Sequence, residues 1–397
     1  MKKAILAYSG GLDTSYCLVH LSKDKGYEVH ALTINTGSFS DEEIQMNEAK
    51  ALQFGAASFQ CIDAKSEFFH SVIRFLIFGN MLKNASYPLS VSAERIVQAK
   101  LIVDYARSIG ATAIAHGSTG AGNDQVRFDL FFQILAPEME IITPIRDNQL
   151  SREEEVKYLQ EHGFSFSSEK SKYSINKGIW GTSVGGAETL TSHLPLAEEA
   201  WPNPMTKKNT LSMAIAFVQG IPVALNGETY SDPSALIEDL NEKCAGYGIG
   251  RDIHVGDTII GIKGRVGFEA PAALVLIKAH HALEKHTLSK LQLLQKDQFS
   301  NWYANWLHEG LYLDPVMRDM EAFLISSQQK VSGTVHVEIH PGYFSVCGIQ
   351  SPNDLMSSKA GVYGEMNKAW TADDVKGFIK IYGNSLAIYH HKKEALC

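Results

Sequence analysis

The sequence has no paired cysteines, no long apolar run and no block of like charge. Its five cysteines, Cys17, Cys61, Cys244, Cys347 and Cys397, are scattered, and no two have two residues between them. That excludes a zinc knuckle and a thiol redox pair, and an odd, unspaced set fits a reducing compartment. The most apolar later stretches, 75–78 and 272–277, fall far short of the ~20 residues that span a bilayer. Met1-Lys2-Lys3 opens onto an apolar run too short for the core of a signal peptide, so a cytoplasmic protein is expected. Lys plus Arg number 36 against 44 Asp plus Glu, a net charge of −8. With no basic run, a nucleic-acid partner held by a basic face is not expected, nor is a membrane. There is no internal repeat. What the chain does have is material for a core: 45% of its 397 residues are hydrophobic and 20% charged, which excludes a disordered chain. At ~150 residues per domain, two or three domains follow.

The first part alternates strand and helix. Strands are read at 3–8, 27–34, 58–62, 111–115 and 140–142, with helices from about Asp13 and over 41–54, 67–82 and 93–109. That order predicts an α/β domain, a parallel sheet with helices on both faces. After about Gly163 the rhythm changes. Residues 164–192 are rich in Ser and Gly; 211–219 and 223–226 read as strands about a turn at Gly220-Ile221-Pro222. A helix follows at 234–244, then a strand pair over 253–262 broken at Gly256-Asp257, and one long helix over 272–294. A hairpin turns at Pro341-Gly342. The second half is therefore α+β with antiparallel strands, and amphipathic pieces at 373–379 and 386–392 end the chain. The expected domains are 1–165, 166–360 and a tail at 361–397 suited to packing on a partner subunit.

The strongest chemical signal is Ala7-Tyr8-Ser9-Gly10-Gly11-Leu12-Asp13-Thr14-Ser15, where the first strand turns into the first helix. Adjacent glycines let backbone N–H groups converge, because no Cβ blocks an anion. Ser9, Thr14 and Ser15 add hydroxyls, and the helix N-terminus adds positive partial charge. The plain alternative is an ordinary glycine-rich turn; the whole nonamer on strand 1 argues for a pyrophosphate cradle. It is neither a Walker A loop nor the Rossmann fingerprint. It resembles the PP-loop of the ATP pyrophosphatases, which cleave ATP between its α and β phosphates.

A second cluster, His116-Gly117-Ser118-Thr119-Gly120-Ala121-Gly122-Asn123-Asp124-Gln125-Val126-Arg127-Phe128, directly follows the strand at 111–115. Loops after strand C-termini line the ligand crevice of an open parallel sheet. A carboxylate beside an arginine is what holds the ammonium and carboxylate ends of an amino acid. A solvated turn explains Asn-Asp alone but not the whole cluster.

Together the two clusters resemble the argininosuccinate synthase family. Supporting matches run in order along nearly the whole chain: Tyr87-Pro88-Leu89, Arg95, Pro144-Ile145-Arg146, Tyr173-Ser174-Ile175, Trp180-Gly181, Gly248-Ile249-Gly250-Arg251, Glu269-Ala270-Pro271 and Ser351-Pro352. The resemblance implies an adenine nucleotide α-hydrolase-like N-terminal domain, a synthetase domain and a homotetramer. It implies ligation of citrulline to aspartate with ATP and Mg²⁺, giving argininosuccinate, AMP and pyrophosphate in arginine biosynthesis. By position, Ala7 to Ser15 and Gly117 would hold ATP, with the Ile34 backbone beside the adenine. Thr119, Asn123 and Asp124 would hold aspartate. Tyr87, Ser92, Asn123, Arg127, Ser174 and Ser183 would hold citrulline. Asp13, Asp124 and Arg127 would be catalytic, and no metal site would come from the protein alone.

The chain departs from the family pattern in places. Ala121 replaces a lysine, Asn35-Thr36-Gly37-Ser38 replaces Asp-Val-Gly-Gln, and Asn176-Lys177 replaces an acidic pair. Two citrulline contacts change: Gly256 aligns with a glutamate and Phe268 with a tyrosine. Losing one charged hydrogen bond costs ~1.5–3 kcal/mol, one to two orders of magnitude in affinity. Asp257 would replace the carboxylate if its loop shifts. The other readings are the same adenylating chemistry on another ureido or amide acceptor, and an ATP-binding interaction protein without catalysis. A sulfur-transferring tRNA enzyme would need paired cysteines and a basic face. His280-His281 and His390-His391 are expected to be solvated or capping rather than metal ligands, Trp302 and Trp306 to pack in a core or subunit contact, and Cys17 to lie in the core.

Overall fold

The computed structural model describes residues 2–165, 172–357, 361, 363–365 and 369–394. The expected boundaries at 165/166 and 360/361 fall beside residues outside this set, as do part of the Ser- and Gly-rich stretch and Cys397.

Five strands, β1 (Lys3–Ala7), β2 (Glu28–Asn35), β3 (Ser58–Asp63), β4 (Ala113–Ala115) and β5 (Glu140–Ile142), form one sheet in the order β3-β2-β1-β4-β5. Every pairing is parallel. Alternation along β1 sends Ile5 to one face and Leu6 to the other. Ile5, with Leu32, Ile34 and Ile114, packs on a cluster that includes Phe68 to Phe78 and the Ser90–Ser108 helix. Leu6, with Val29, Ala31 and Ala115, packs on the Leu12–Val19 helix and on Ala51, Phe54, Val156 and Leu159. The sheet is covered on both faces, as an all-parallel sheet must be. The chain winds outward in both directions from β1, so the switch point lies between β1 and β4.

The second half carries two antiparallel sheets. One runs Glu228–Thr229, Ile221–Leu225, Leu211–Val218, Gly333–His340, Tyr343–Gln350. The other runs Arg251–Asp257, Lys263–Glu269, Thr182–Gly185, Ser174–Asn176. Val335, Ile215 and Phe268 belong to the same core cluster as Ile5, so the two halves share one core.

Several expectations are corrected. The turn over 211–226 is Gln219-Gly220, both at positive φ (48° and 78°), and Ile221-Pro222 is already strand. The helix-rich stretch expected over 67–82 consists of Lys65–Phe68, a π-helical turn Phe69–Ile73 and Arg74–Phe78, and so ends earlier, at Phe78. Gly256-Asp257 is not a break: Gly256 pairs with Gly264 and Asp257 with Lys263. The turn follows, closed by the Thr258 N–H donating to the Ile262 carbonyl at 2.8 Å. Helix 272–294 is two helices, Pro271–Thr287 and Lys290–His308. Leu288 closes the first, and Ser289 begins the second: its hydroxyl accepts from the Gln292 N–H while the Gln292 side chain accepts from the Ser289 N–H. His280 is fully buried, neither solvated nor capping, its imidazole between Asn80 and Gln328 at 2.7 and 2.8 Å. Cys17 lies in the core. Trp302 is 53% exposed and stacks on Trp306.

Candidate active site

The C-terminal ends of β1 and β4 open into a cleft of about 1250 Å³. The loop after β1 starts its turn at Gly10, whose φ is +74° and where a Cβ would stand 1.9 Å from Asn47 Oδ1. Only glycine meets both demands there. Thr14 ties the loop to itself: its hydroxyl donates to the Gly11 carbonyl at 3.3 Å, and Ser9 Oγ lies 3.3 Å away. From behind, Thr33 Oγ1 donates to the Tyr8 carbonyl at 2.7 Å and Lys50 Nζ donates to the Gly10 carbonyl. The loop after β4 comes close: a Cβ on Gly117 would lie 3.2 Å from the Asp13 and Thr14 backbone. That approach keeps both loops' N–H groups around one space.

Beneath the second loop, His116 Nδ1 accepts from the Ser118 N–H at 3.2 Å, so its Nε2 carries the proton and donates to Asp129 at 2.8 Å. Arg146 holds the other Asp129 oxygen at 2.6 Å. The loop ends at the Asp124–Leu135 helix, which the sequence reading did not separate from the cluster. Asp124 accepts from Arg95 Nε at 2.9 Å and from Arg127 Nη1 at 2.8 Å. Burial pushes the Asp124 carboxyl up, but the two arginines outweigh it and hold it at about 2. Arg95 also donates to Glu94 at 2.7 Å, and Thr36 donates to the other Glu94 oxygen at 2.7 Å. Burial nevertheless pushes Glu94 up to about 7.

Arg127 is more committed than its expected role implies. Its Nε and Nη2 donate to the His308 carbonyl at 2.9 and 2.8 Å, and Nη2 lies 3.2 Å from His308 Nδ1. Burial, then Arg127 itself, holds His308 down at about 2, so its imidazole is neutral. Asn123 Oδ1 accepts from the Ile259 N–H at 2.9 Å, leaving its amide donors for a ligand. Tyr87 sits on a loop with Asn80, Asn84, Ala85 and Leu89 at positive φ, stacked on His254 at 5.0 Å. Such a run of non-glycine residues in the left-handed region is strain that the surrounding fold must hold.

Of the expected residues, Ala7, Tyr8, Ser9, Gly11, Leu12, Asp13, Thr14, Ile34, Tyr87, Ser92, Gly117, Thr119, Asn123, Asp124, Arg127, Ser174 and Ser183 all line this cleft. Gly10 shapes it from the turn, and Ser15 is fully buried behind it. Glu94, Glu155, His254 and His308 line it too and were not singled out. Glu94 stands next to Arg95, which was singled out, but its other partner Thr36 and the partners of Glu155, His254 and His308 lie far away in the chain. Asp257 does not shift to take the place of a carboxylate at 256: the strand is in register through it, and it pairs with Lys263 at 2.7 Å.

An all-parallel sheet with a glycine-turned loop and a helix N-terminus at its switch point defines a nucleotide-binding α/β protein. Two family models match: the arginosuccinate synthase N-terminal HUP domain over residues 3–165 and the arginosuccinate synthase C-terminal domain over residues 173–389. The argininosuccinate synthase of Methanocaldococcus jannaschii is 39% identical over 394 residues, covering 98% of each chain. That of Xylella fastidiosa is 35% identical over 407 residues, 100% of this chain and 99% of its own. That of Dehalococcoides mccartyi is 39% identical over 387 residues, 96% of this chain and 94% of its own. The chain belongs to the argininosuccinate synthase family.

Proposed function

We propose that the protein is an ATP-dependent, AMP-forming carbon–nitrogen ligase that joins citrulline to aspartate. The observation that carries this is the single cleft uniting the Ser9–Ser15 loop with the Asp124–Arg95–Arg127 group. The acceptor's ureido oxygen attacks the α-phosphorus of ATP, and pyrophosphate leaves. The aspartate amine then attacks the ureido carbon, losing a proton, and AMP departs with the former ureido oxygen. Backbone N–H groups of the Ser9 to Thr14 loop would stabilise the phosphate charge, and the two loops would fix reactant positions. Thr119, Asn123 and Asp124 are assigned to aspartate, and Tyr87, Ser92, Asn123, Arg127, Ser174 and Ser183 to the acceptor.

Mg²⁺ fits the residues present. Glu155 stands beside Asp13 at the phosphate end, its Oε2 without a hydrogen-bond partner, and burial first and Asp13 second push it up to about 8. These two carboxylates would hold the ion, which would neutralise polyphosphate charge when bound.

We extend the reading to assembly and place. Phe378, Ile381, Tyr382, Leu386 and Tyr389 on the last two helices are exposed, which fits a tail at 361–397 packing on partner subunits in a homotetramer. The domain limits 1–165 and 166–360 go with it. No helix among the described residues is long and apolar enough to cross a membrane, and a cytoplasmic location fits small-molecule substrates. The test is isotopic: citrulline carrying ¹⁸O in its ureido group should transfer the label to AMP. Unlabelled AMP would refute the adenylated intermediate.

A further inference from the structure

The two ends of the cleft differ in charge. Asp13, Glu43 and Glu155 stand at the phosphate end; Tyr87, Ser174, Ser183, His254 and Gly256 stand at the other. The sheet over that far end sets its side chains by register. Ser183 opposes Phe268, His254 opposes Val266 and Gly256 opposes Gly264, so all six share one face. The six carry no carboxylate; Asp252, opposite Phe268 on the same face, is exposed and does not line the cleft.

Gly256 is the position from which a longer side chain could enter this lobe, and it is closed. A Cβ there would lie 2.5 Å from His254 Nε2 and 3.5 Å from Asn84 Nδ2. His254 is fixed in that space. It is 6% exposed, stacks on Tyr87 with an interplanar angle of 25°, and its Nδ1 has no hydrogen-bond partner. Burial, then Lys83, lowers its pKa and outweighs Asp252, which acts the other way. Asp124, Glu94 and Asp257, which line the cleft beside this lobe, are already engaged: Asp124 by Arg95 and Arg127, Glu94 by Arg95 and Thr36, Asp257 by Lys263. A ligand ammonium placed here meets the His254 imidazole and the side chains of Tyr87, Ser174 and Ser183.

We infer that the acceptor lobe, on the ligase reading above, does not read an α-ammonium, and that the protein takes ω-ureido carboxylic acids with or without one, His254 being the residue that keeps the ammonium-reading position shut. The chemistry at the ureido group is unchanged; what changes is which acceptors compete for the adenylate.

The purified protein with Mg-ATP and aspartate is given either citrulline or 5-ureidopentanoate, which lacks only the α-ammonium, and AMP release is followed. We expect kcat/KM for the two acceptors to agree within about tenfold, since a dedicated buried charge pair favours its ligand by about 10- to 100-fold. A preference for citrulline above about tenfold overturns the inference. AMP release with neither acceptor, while calorimetry still registers ATP binding, overturns the ligase reading and the inference with it. A second measurement addresses His254 as a positioning residue. Gly256→Glu with His254→Ala should raise the preference for citrulline by at least about tenfold. Gly256→Glu alone, blocked by the imidazole, should not. A folded double variant with the parent's acceptor ratio overturns the assignment of His254.

Discussion

Gly10→Ala isolates the phosphate loop from the rest of the fold. Gly10 has φ +74°, and a Cβ there overlaps Asn47 Oδ1 at 1.9 Å. Holding a non-glycine residue in that region costs about 1–2 kcal/mol. Asn47 can swing aside only by leaving the loop it flanks. If the backbone relaxes instead, the N–H groups at Gly11 and Leu12 turn away from the space they enclose. Each such hydrogen bond to a charged phosphate contributes about 1.5–3 kcal/mol, so losing one weakens ATP binding by about 10- to 100-fold. Gly26→Ala is the matched control: φ is +68°, nothing lies within 4 Å of its Cβ, and it does not line the cleft. Gly26→Ala should lose about 1–2 kcal/mol in a urea titration and Gly10→Ala at least as much, but only Gly10→Ala should lose ATP affinity by calorimetry. Gly10→Ala binding ATP within twofold of the parent would refute the cradle.

Three further outcomes follow from other contacts. Asp124→Asn removes the charge between Arg95 and Arg127 and should lower AMP formation by about 100-fold or more, with ATP affinity kept; a loss under tenfold would count against its role. Glu155 has a folded pKa of about 8, above its unfolded value, so the folded state holds an extra proton between the two values and stability falls as pH rises through that window. Glu155→Gln should therefore gain on the parent by melting temperature at pH 8.5 but not at pH 4.5, and an equal gain at both would contradict the assignment. Lys296 and Glu284 are both fully buried and 2.8 Å apart, so Lys296→Met should cost about 3–5 kcal/mol in chemical denaturation, with Glu284→Gln recovering part of it.

Some of this was legible in the sequence for physical reasons. A glycine pair between an apolar strand and a helix leaves few conformations, so the sequence alone sets Ser9–Ser15 and the cluster after β4 at one crevice. Gly256-Asp257 was misread because its composition is that of a turn, whereas pairing with Gly264 and Lys263 decides the matter. The break at Ser289 was overlooked although four polar residues, Glu284-Lys285-His286-Thr287, precede it and Ser289 stands three residues before Gln292. The Asp124–Arg95 and Arg127–His308 contacts join residues 29 and 181 apart, and no local pattern reports such a contact.

The central claim is that one cleft couples ATP cleavage to the joining of two amino-acid substrates. Its most direct test is product stoichiometry with Mg-ATP, aspartate and citrulline, each omitted in turn. The account requires AMP, pyrophosphate and argininosuccinate in equal amounts, with AMP and argininosuccinate absent when any substrate is left out. ADP and phosphate as products, or AMP accumulating without aspartate over many turnovers, would contradict it.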